Sequence, residues 1–309
     1  MSNLYISDTL QPACAPTVIA LGCFDGIHPG HRAVLQTALA GAAAYSCIPS
    51  VFTFGTREVM LPPTKQAKEL MSTPMKLRIL SEMGFQHITI APFEQFRNFS
   101  PEAFVTHVLF ETLRAKMVCC GFNYRFGKNG VGNADMLRTL GEKLGIVVKI
   151  SPPVEWEGAP ISSTRIRAAI QAGDMLSARQ LLGQPFSIDF PVVHGRKLGR
   201  TIGTPTINQE FPDSFLLPRF GVYASRVVIN HICYSGVTNA GIKPTVGAER
   251  PLAETYISGY QGDLYGQNIL VQFLQFLRPE CRFESVKALQ AQIQKDAQQA
   301  EQIASNYSD

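Results

Sequence analysis

Charge is scarce in this sequence, and what there is nearly balances. Asp, Glu, Lys and Arg make up 17% of the 309 residues, and 28 basic against 24 acidic side chains leave +4 at neutral pH. The basic residues are spread rather than clustered. That argues against a nucleic-acid partner and suits a protein that handles small anions such as phosphates. No stretch reaches the ~18 apolar residues of a membrane helix, which excludes a helical membrane protein. The seven cysteines (Cys14, Cys23, Cys47, Cys119, Cys120, Cys233 and Cys281) are an odd number without a Cys-x-x-Cys pair. A disulfide framework or a structural zinc site is therefore not expected, and reduced thiols are the simpler reading. Residues 1–16 hold no Lys or Arg, so the charged start of a signal peptide is missing. A soluble, cytoplasmic protein is expected.

What the chain does have is 45% hydrophobic residues, enough to bury a core and to exclude disorder. Its length suggests two domains at ~150 residues each. The first half alternates short apolar segments (18–22, 50–54, 87–91, 117–121 and 146–150) with helix-like ones (30–45, 73–83, from 100 onward, and 134–144). Thr73-Pro74 and Ser100-Pro101 read as helix starts. Strands separated by helices predict a doubly wound parallel sheet, with ligands at the carboxyl ends of the strands. Two more helices are expected at 163–172 and 175–182. After Gly183-Gln184-Pro185 the pattern changes. Segments 186–194, 222–229, 232–237, 253–257 and 268–276 read as strands punctuated by Gly, Pro and Asn, which predicts an antiparallel β-barrel closed by a helix at 285–304. The expected domains are 1–183 and 184–309.

Three segments carry chemistry. Gly22-Cys23-Phe24-Asp25-Gly26-Ile27-His28-Pro29-Gly30-His31 joins the first strand to the first long helix. Gly22, Gly26 and Gly30 let a phosphate approach the backbone, the helix start favours an anion, and His28 and His31 add donors. Ser162-Ser163-Thr164-Arg165-Ile166-Arg167 opens another helix with hydroxyls and two arginines in its first turn. Arginine there is disfavoured by the helix dipole unless it meets an anion or a carboxylate. The third segment, 195–208, is Gly-rich and basic, with Gly195, Lys197, Gly199, Arg200 and Gly203 suited to wrapping a phosphate. Thr206 and Asn208 point the same way in an extended chain and offer neutral oxygen ligands for Mg²⁺.

The first two segments together resemble the nucleotidyltransferase superfamily. More narrowly, Gly22-x-Phe24-Asp25-Gly26-x-His28-x-Gly30-His31 resembles the adenylyltransferase module of bacterial FAD synthetases. Gly121-Phe122-Asn123-Tyr124-Arg125-Phe126-Gly127 is similar to that family's flavin-seating loop, which implies flavin contacts from Asn123, Tyr124, Arg125 and Phe126. The segment 54–58 departs from the family's Phe-x-Pro-His-Pro. Gly195-Arg196-x-x-Gly199 with Gly203-Thr204-Pro205-Thr206-x-Asn208 resembles the riboflavin kinase signature, and Glu254-Thr255-Tyr256-Ile257 is similar to that family's Glu-x-His-Ile. Asn239-Ala240-Gly241-Ile242-Lys243-Pro244-Thr245 resembles its Gly-x-Arg-Pro-Thr turn.

The resemblance implies a bifunctional enzyme of the bacterial type. It would phosphorylate riboflavin to FMN and adenylylate FMN to FAD. ATP would be the co-substrate, Mg²⁺ the cofactor, and riboflavin, FMN and FAD the flavin partners. Glu254, His28 and His31 would be the catalytic residues. Phe24 would join the glycines around the nucleotide, and Ser163, Thr164 and Arg167 would hold the departing pyrophosphate. The alternative is a riboflavin kinase whose first domain only binds nucleotide or flavin. A weak homo-oligomer is left open.

Overall fold

The computed structural model describes residues 4–54, 67–91, 93–195, 204–245 and 248–307. Packing divides the chain into two compact units, Met1–Ser162 and Ser163–Asp309.

The first unit comprises, in order, β1 (Tyr5–Ser7), β2 (Thr17–Leu21), α1 (Pro29–Tyr45), β3 (Ile48–Phe54), α2 (Thr73–Glu82), β4 (His87–Ala91), α3 (Phe93–Phe96), α4 (Pro101–Ala103), β5 (Ala115–Gly121), β6 (Arg125–Phe126), β7 (Gly132–Asn133), α5 (Ala134–Lys143), β8 (Val147–Ser151), β9 (Glu155–Trp156) and β10 (Ala159–Pro160). α4 continues as a π-helix over Phe104–Thr112. Helix starts follow the expected chemistry. Ser100 caps α4 by accepting from the Ala103 N–H, with Pro101 next. In α2 the cap is Ser72, one residue before the expected Thr73, because its hydroxyl accepts from the Met75 N–H.

Six strands form one sheet in the order β1-β4-β3-β2-β5-β8, all pairs parallel. The sequence reading has five of these; β1 is an addition at the edge, paired to β4. Successive β2 residues serve opposite faces. Val18 and its register partner Met117 lie under Gly41 of α1, while Ile19 and Leu21 join Phe52, Phe104, Val108 and Leu137 in a core on the other side. From β2 the chain winds outward first through β3 and β4, then through β5 and β8. The switch in direction lies between β2 and β5, and a crevice beyond their carboxyl ends is the ligand position in such sheets.

The second unit begins with α6 (Ser163–Ala172) and α7 (Met175–Leu182). β11 (Phe186–Ile188), β12 (Val192–Val193), β13 (Thr206–Glu210), β14 (Gly221–Ile229), β15 (Ile232–Thr245), β16 (Ala248–Ile257), β17 (Leu270–Arg278) and α8 (Val286–Ser305) follow. The strands pair antiparallel in the order β11-β17-β14-β15-β16-β13-β12. The sheet closes where the Val192 N–H donates to Gln267 and the Gly266 N–H to Val192. The expected strand 186–194 is broken at Asp189–Phe190–Pro191, since proline has no N–H for a ladder. The expected turn 239–245 is strand instead: β15 and β16 extend to pair Thr245 with Ala248. α8 lays Ala297, Ala300 and Ile303 against Val222, Ala224 and Val237, and an Arg278–Asp296 ion pair of 2.7 Å fixes it.

Candidate active sites

The chain leaves β2 in a tight turn with Phe24, Gly26 and Ile27 at φ of 50°, 86° and 41°. A β-branched residue such as Ile27 is strained there, and the strain persists only because surrounding packing enforces it. Phe24 and Ile27 are fully buried, which supplies that packing. Gly22 is needed for space: a Cβ would sit 2.9 Å from the Phe24 ring.

The turn delivers His28 to the N-cap of α1, where its Nδ1 accepts the His31 N–H at 3.3 Å. The proton of neutral His28 therefore sits on Nε2, free to donate. The His28 and His31 rings stack with centroids 3.6 Å apart, on the side where Gly30 carries no Cβ, and Phe24 meets His31 edge-on at 5.5 Å. Burial lowers the His28 pKa to about 4. His31 is held well below its ordinary value, first by burial and then by the charges of His28 and Lys76. Its Nδ1 is buried without a hydrogen-bond partner. The result is two neutral imidazoles at a helix N-terminus, able to donate to phosphate oxygens.

Three neighbours complete this corner, none of them named as a site residue from the sequence. Lys76 on α2 is buried and donates to the carbonyls of Cys23 and Phe54. Asp25 Oδ1 accepts the Leu70 N–H at 2.9 Å, and Glu69 is buried beside them. Lys76 is hidden in the sequence because a lysine on an amphipathic helix reads as solvated.

The loop after β5 sorts its side chains. Phe126 belongs to the core, stacked with Tyr124 and against Phe104, so its ring offers no face to a flavin. Phe126, expected among the flavin contacts, is thus a core residue, and Tyr124 packs on the same core. Asn123 and Arg125 are exposed, as is Phe122 at 48%. Phe122 is the aromatic the sequence reading left out. Ser163, Thr164 and Arg167 lie in the first turns of α6 in the second unit, with Thr164 exposed and the other two half-buried. Residues 55–58 of the departing segment lie outside the described residues.

In the second unit, register decides which side chains meet. Thr206 and Asn208 share one face of β13, as expected for an extended chain. Asn208 pairs with Glu254 on β16, and Glu254 pairs with Asn239 on β15. Asn208, Glu254 and Asn239 thus form a polar row across three strands. Asn239 donates to Glu280 at 2.9 Å, and its Oδ1 is buried without a hydrogen-bond partner. Asn239 was missed because its contact with Glu254 exists only through strand pairing. The opposite face carries Thr255 and Thr238, whose hydroxyls lie 2.9 Å apart and link on to Ser225. Gly195 packs directly on Asn208. A cavity of about 350 Å³ opens at the Thr206 end, lined among others by Val192, Pro205, Ile257, Asp263 and Tyr265. Lys197, Gly199, Arg200 and Gly203 lie outside the described residues.

A family model for FAD synthetase matches residues 10–165, and one for riboflavin kinase matches residues 182–304. Bifunctional riboflavin kinase/FMN adenylyltransferases of Listeria monocytogenes and Bacillus subtilis are each 35% identical to the chain. The first match spans 91% of this chain and 90% of the relative, the second 94% of each. The Escherichia coli enzyme is 34% identical over 94% of this chain and 93% of its own. A crystal structure described as a macrolide-efflux protein from Streptococcus pneumoniae superposes with a TM-score of 0.83 at 30% identity, covering 99% of both chains. Efflux is that protein's description; among the described residues here no helix is long and apolar enough to cross a membrane. Both modules match in order along one chain, which supports the two-activity reading over a kinase with a binding-only first domain. The chain therefore belongs to the bifunctional riboflavin kinase/FMN adenylyltransferase family, whose members phosphorylate riboflavin and adenylylate the FMN produced.

Proposed function

We propose that the two reactions use separate sites and separate molecules of ATP. At the first site a phosphate oxygen of FMN attacks the α-phosphorus of ATP, and pyrophosphate leaves. The nucleophile is already an anion, so no general base is required; the protein must neutralise charge and align the reactants. Nε2–H of His28 and the imidazole of His31 donate to the triphosphate, together with the Gly30 N–H, since Pro29 has none and the His31 and Arg32 amides already bond to His28. Phe122 gives the flavin a ring to lie on, with Asn123 and Arg125 beside it. The role of Ser163, Thr164 and Arg167 toward pyrophosphate rests on the sequence motif. For that reason we keep the functional boundary at 183/184, although α6 and α7 pack with the second unit.

At the second site the ribityl 5′-hydroxyl attacks the γ-phosphorus of ATP and ADP leaves. Glu254 takes the hydroxyl proton, since a neutral hydroxyl is a poor nucleophile. Asn208 and Asn239 flank Glu254 in the strand register, and the cavity beside Thr206 suits the nucleotide. The Thr206 hydroxyl and Asn208 amide oxygen, one pleat from a carboxylate, are hard oxygen donors of the kind Mg²⁺ takes, so the residues present fit the ion. Bound there, Mg²⁺ would neutralise phosphate charge. Among the described residues no cysteine forms a disulfide, which suits an enzyme of the reducing cytoplasm.

The observation that carries this reading is the neutral, stacked His28–His31 pair at the N-terminus of α1. The test is to incubate the protein with riboflavin, ATP and Mg²⁺ and resolve flavins by chromatography. FMN should appear first and FAD after it; FMN alone would remove the adenylyltransferase assignment.

A further inference from the structure

Lys76 is 2% exposed, and among the described residues no carboxylate forms an ion pair with it. Burying an ammonium that way is costly, and such a group persists where its charge or its hydrogen bonds serve a purpose. Its Nζ donates to Cys23 O at 3.0 Å and to Phe54 O at 3.3 Å. These carbonyls stand at the carboxyl ends of adjacent parallel strands, beside the candidate phosphate site. Cys23 O also accepts the Thr53 hydroxyl at 3.0 Å, so two side chains from two elements fasten the residue that begins the left-handed turn. The same turn is tied to the segment before α2 by the Asp25–Leu70 hydrogen bond.

We propose that Lys76 is a positioning residue for adenylyl transfer: by bridging the Cys23 and Phe54 carbonyls it holds the strained turn that presents His28 and His31. The inference rests on the reading of the histidine pair given above. A second consequence follows from charge. Lys76 faces His31 from α1, Cys23 and Asp25 from the turn, and Glu69 from the segment before α2, and His28 acts on His31 beside it. The acidic groups favour its charged form, and that charge disfavours protonation of His31. Removing it lets His31 take up a proton at higher pH than in the parent.

The test compares Lys76→Met with the parent in the full chain. Adenylylation of FMN should lose about tenfold or more in kcat, the size expected when reacting groups are misplaced. KM for ATP should move less, and riboflavin phosphorylation by the same protein should be unchanged. The acid limb of the adenylylation profile should move to higher pH, while burial, the larger cause, still holds His31 below its ordinary value. A variant within about threefold of the parent, or one with lower kcat but an unmoved acid limb, would overturn the proposal. Should the methionine variant fail to fold, Lys76→Arg decides the matter: it keeps the charge, so a parental acid limb supports the proposal and a raised one overturns it. If His31→Ala leaves adenylylation intact, the histidine reading falls and this inference with it; if only Lys76→Met does, the histidine reading stands.

Discussion

The two candidate sites solve opposite problems with opposite materials. The first, at the strand ends of the parallel sheet, buries its polar groups: His28, Lys76 and Glu69 all lie inside, and His31 is held neutral. The second spreads Asn208, Glu254 and Asn239 along a sheet face, with Glu254 and Asn239 half-open. The difference follows the nucleophiles. A phosphate anion needs rigid, neutral donors and no base, and burial keeps imidazoles in that form. On the proposed reading a ribityl hydroxyl needs a carboxylate to take its proton, and Glu254 is half-open.

The largest effect that would sharpen this contrast is expected from His31→Ala. Loss of one preorganised donor costs on the order of 10²–10³-fold in kcat. FAD formation from FMN should fall by that much while FMN formation persists; equal loss of both in a folded protein would merge the two sites into one. Glu254→Gln should do the reverse, lowering kcat for FMN formation by on the order of 10²-fold. Adenylylation of added FMN should survive. A Gln variant within about threefold of the parent, measured where chemistry limits turnover, would pass the base role to another group.

Within the first site, the exposed and buried phenylalanines should separate. Phe122→Ala should raise KM for FMN by about tenfold, the worth of one stacking ring, and leave thermal stability alone. Phe126→Ala should instead cost about 3–5 kcal/mol of stability, as truncation of a core ring does. A stable Phe126→Ala protein with weak FMN binding would reverse their assignment. The last effect is on pH. His28 has a folded pKa of about 4, below its ordinary 6.5, so the unfolded chain binds the extra proton between those values. Stability from this group is intact above pH 6.5 and declines as pH falls toward 4, by about 1.4 kcal/mol per unit at most. Adenylylation should show no histidine limb near pH 6.5; one there would mean the imidazoles are not buried in solution.

The sequence by itself determined what depends on neighbours along the chain. The strand–turn–helix junction at 22–31, the Ser100 cap, the closing helix and the change from alternating helices to pure strands were all legible, because capping, turn chemistry and periodicity act over a few residues. So was the shared direction of Thr206 and Asn208, which extended backbone fixes locally. What needed the tertiary structure were relations between distant segments. β1 is three residues, Tyr5 and Ile6 exposed and Ser7 buried, that become a strand only by pairing with β4. Asn239 reaches Glu254 through register, and α6 and α7 join the unit that follows them in the chain. Phe122 and Phe126 look alike in the sequence, yet one is exposed and the other sealed by Phe104 from a different helix. Lys76 is the plainest case: nothing local distinguishes it from a surface lysine, and only the meeting of α2 with the ends of β2 and β3 buries its charge beside the histidines.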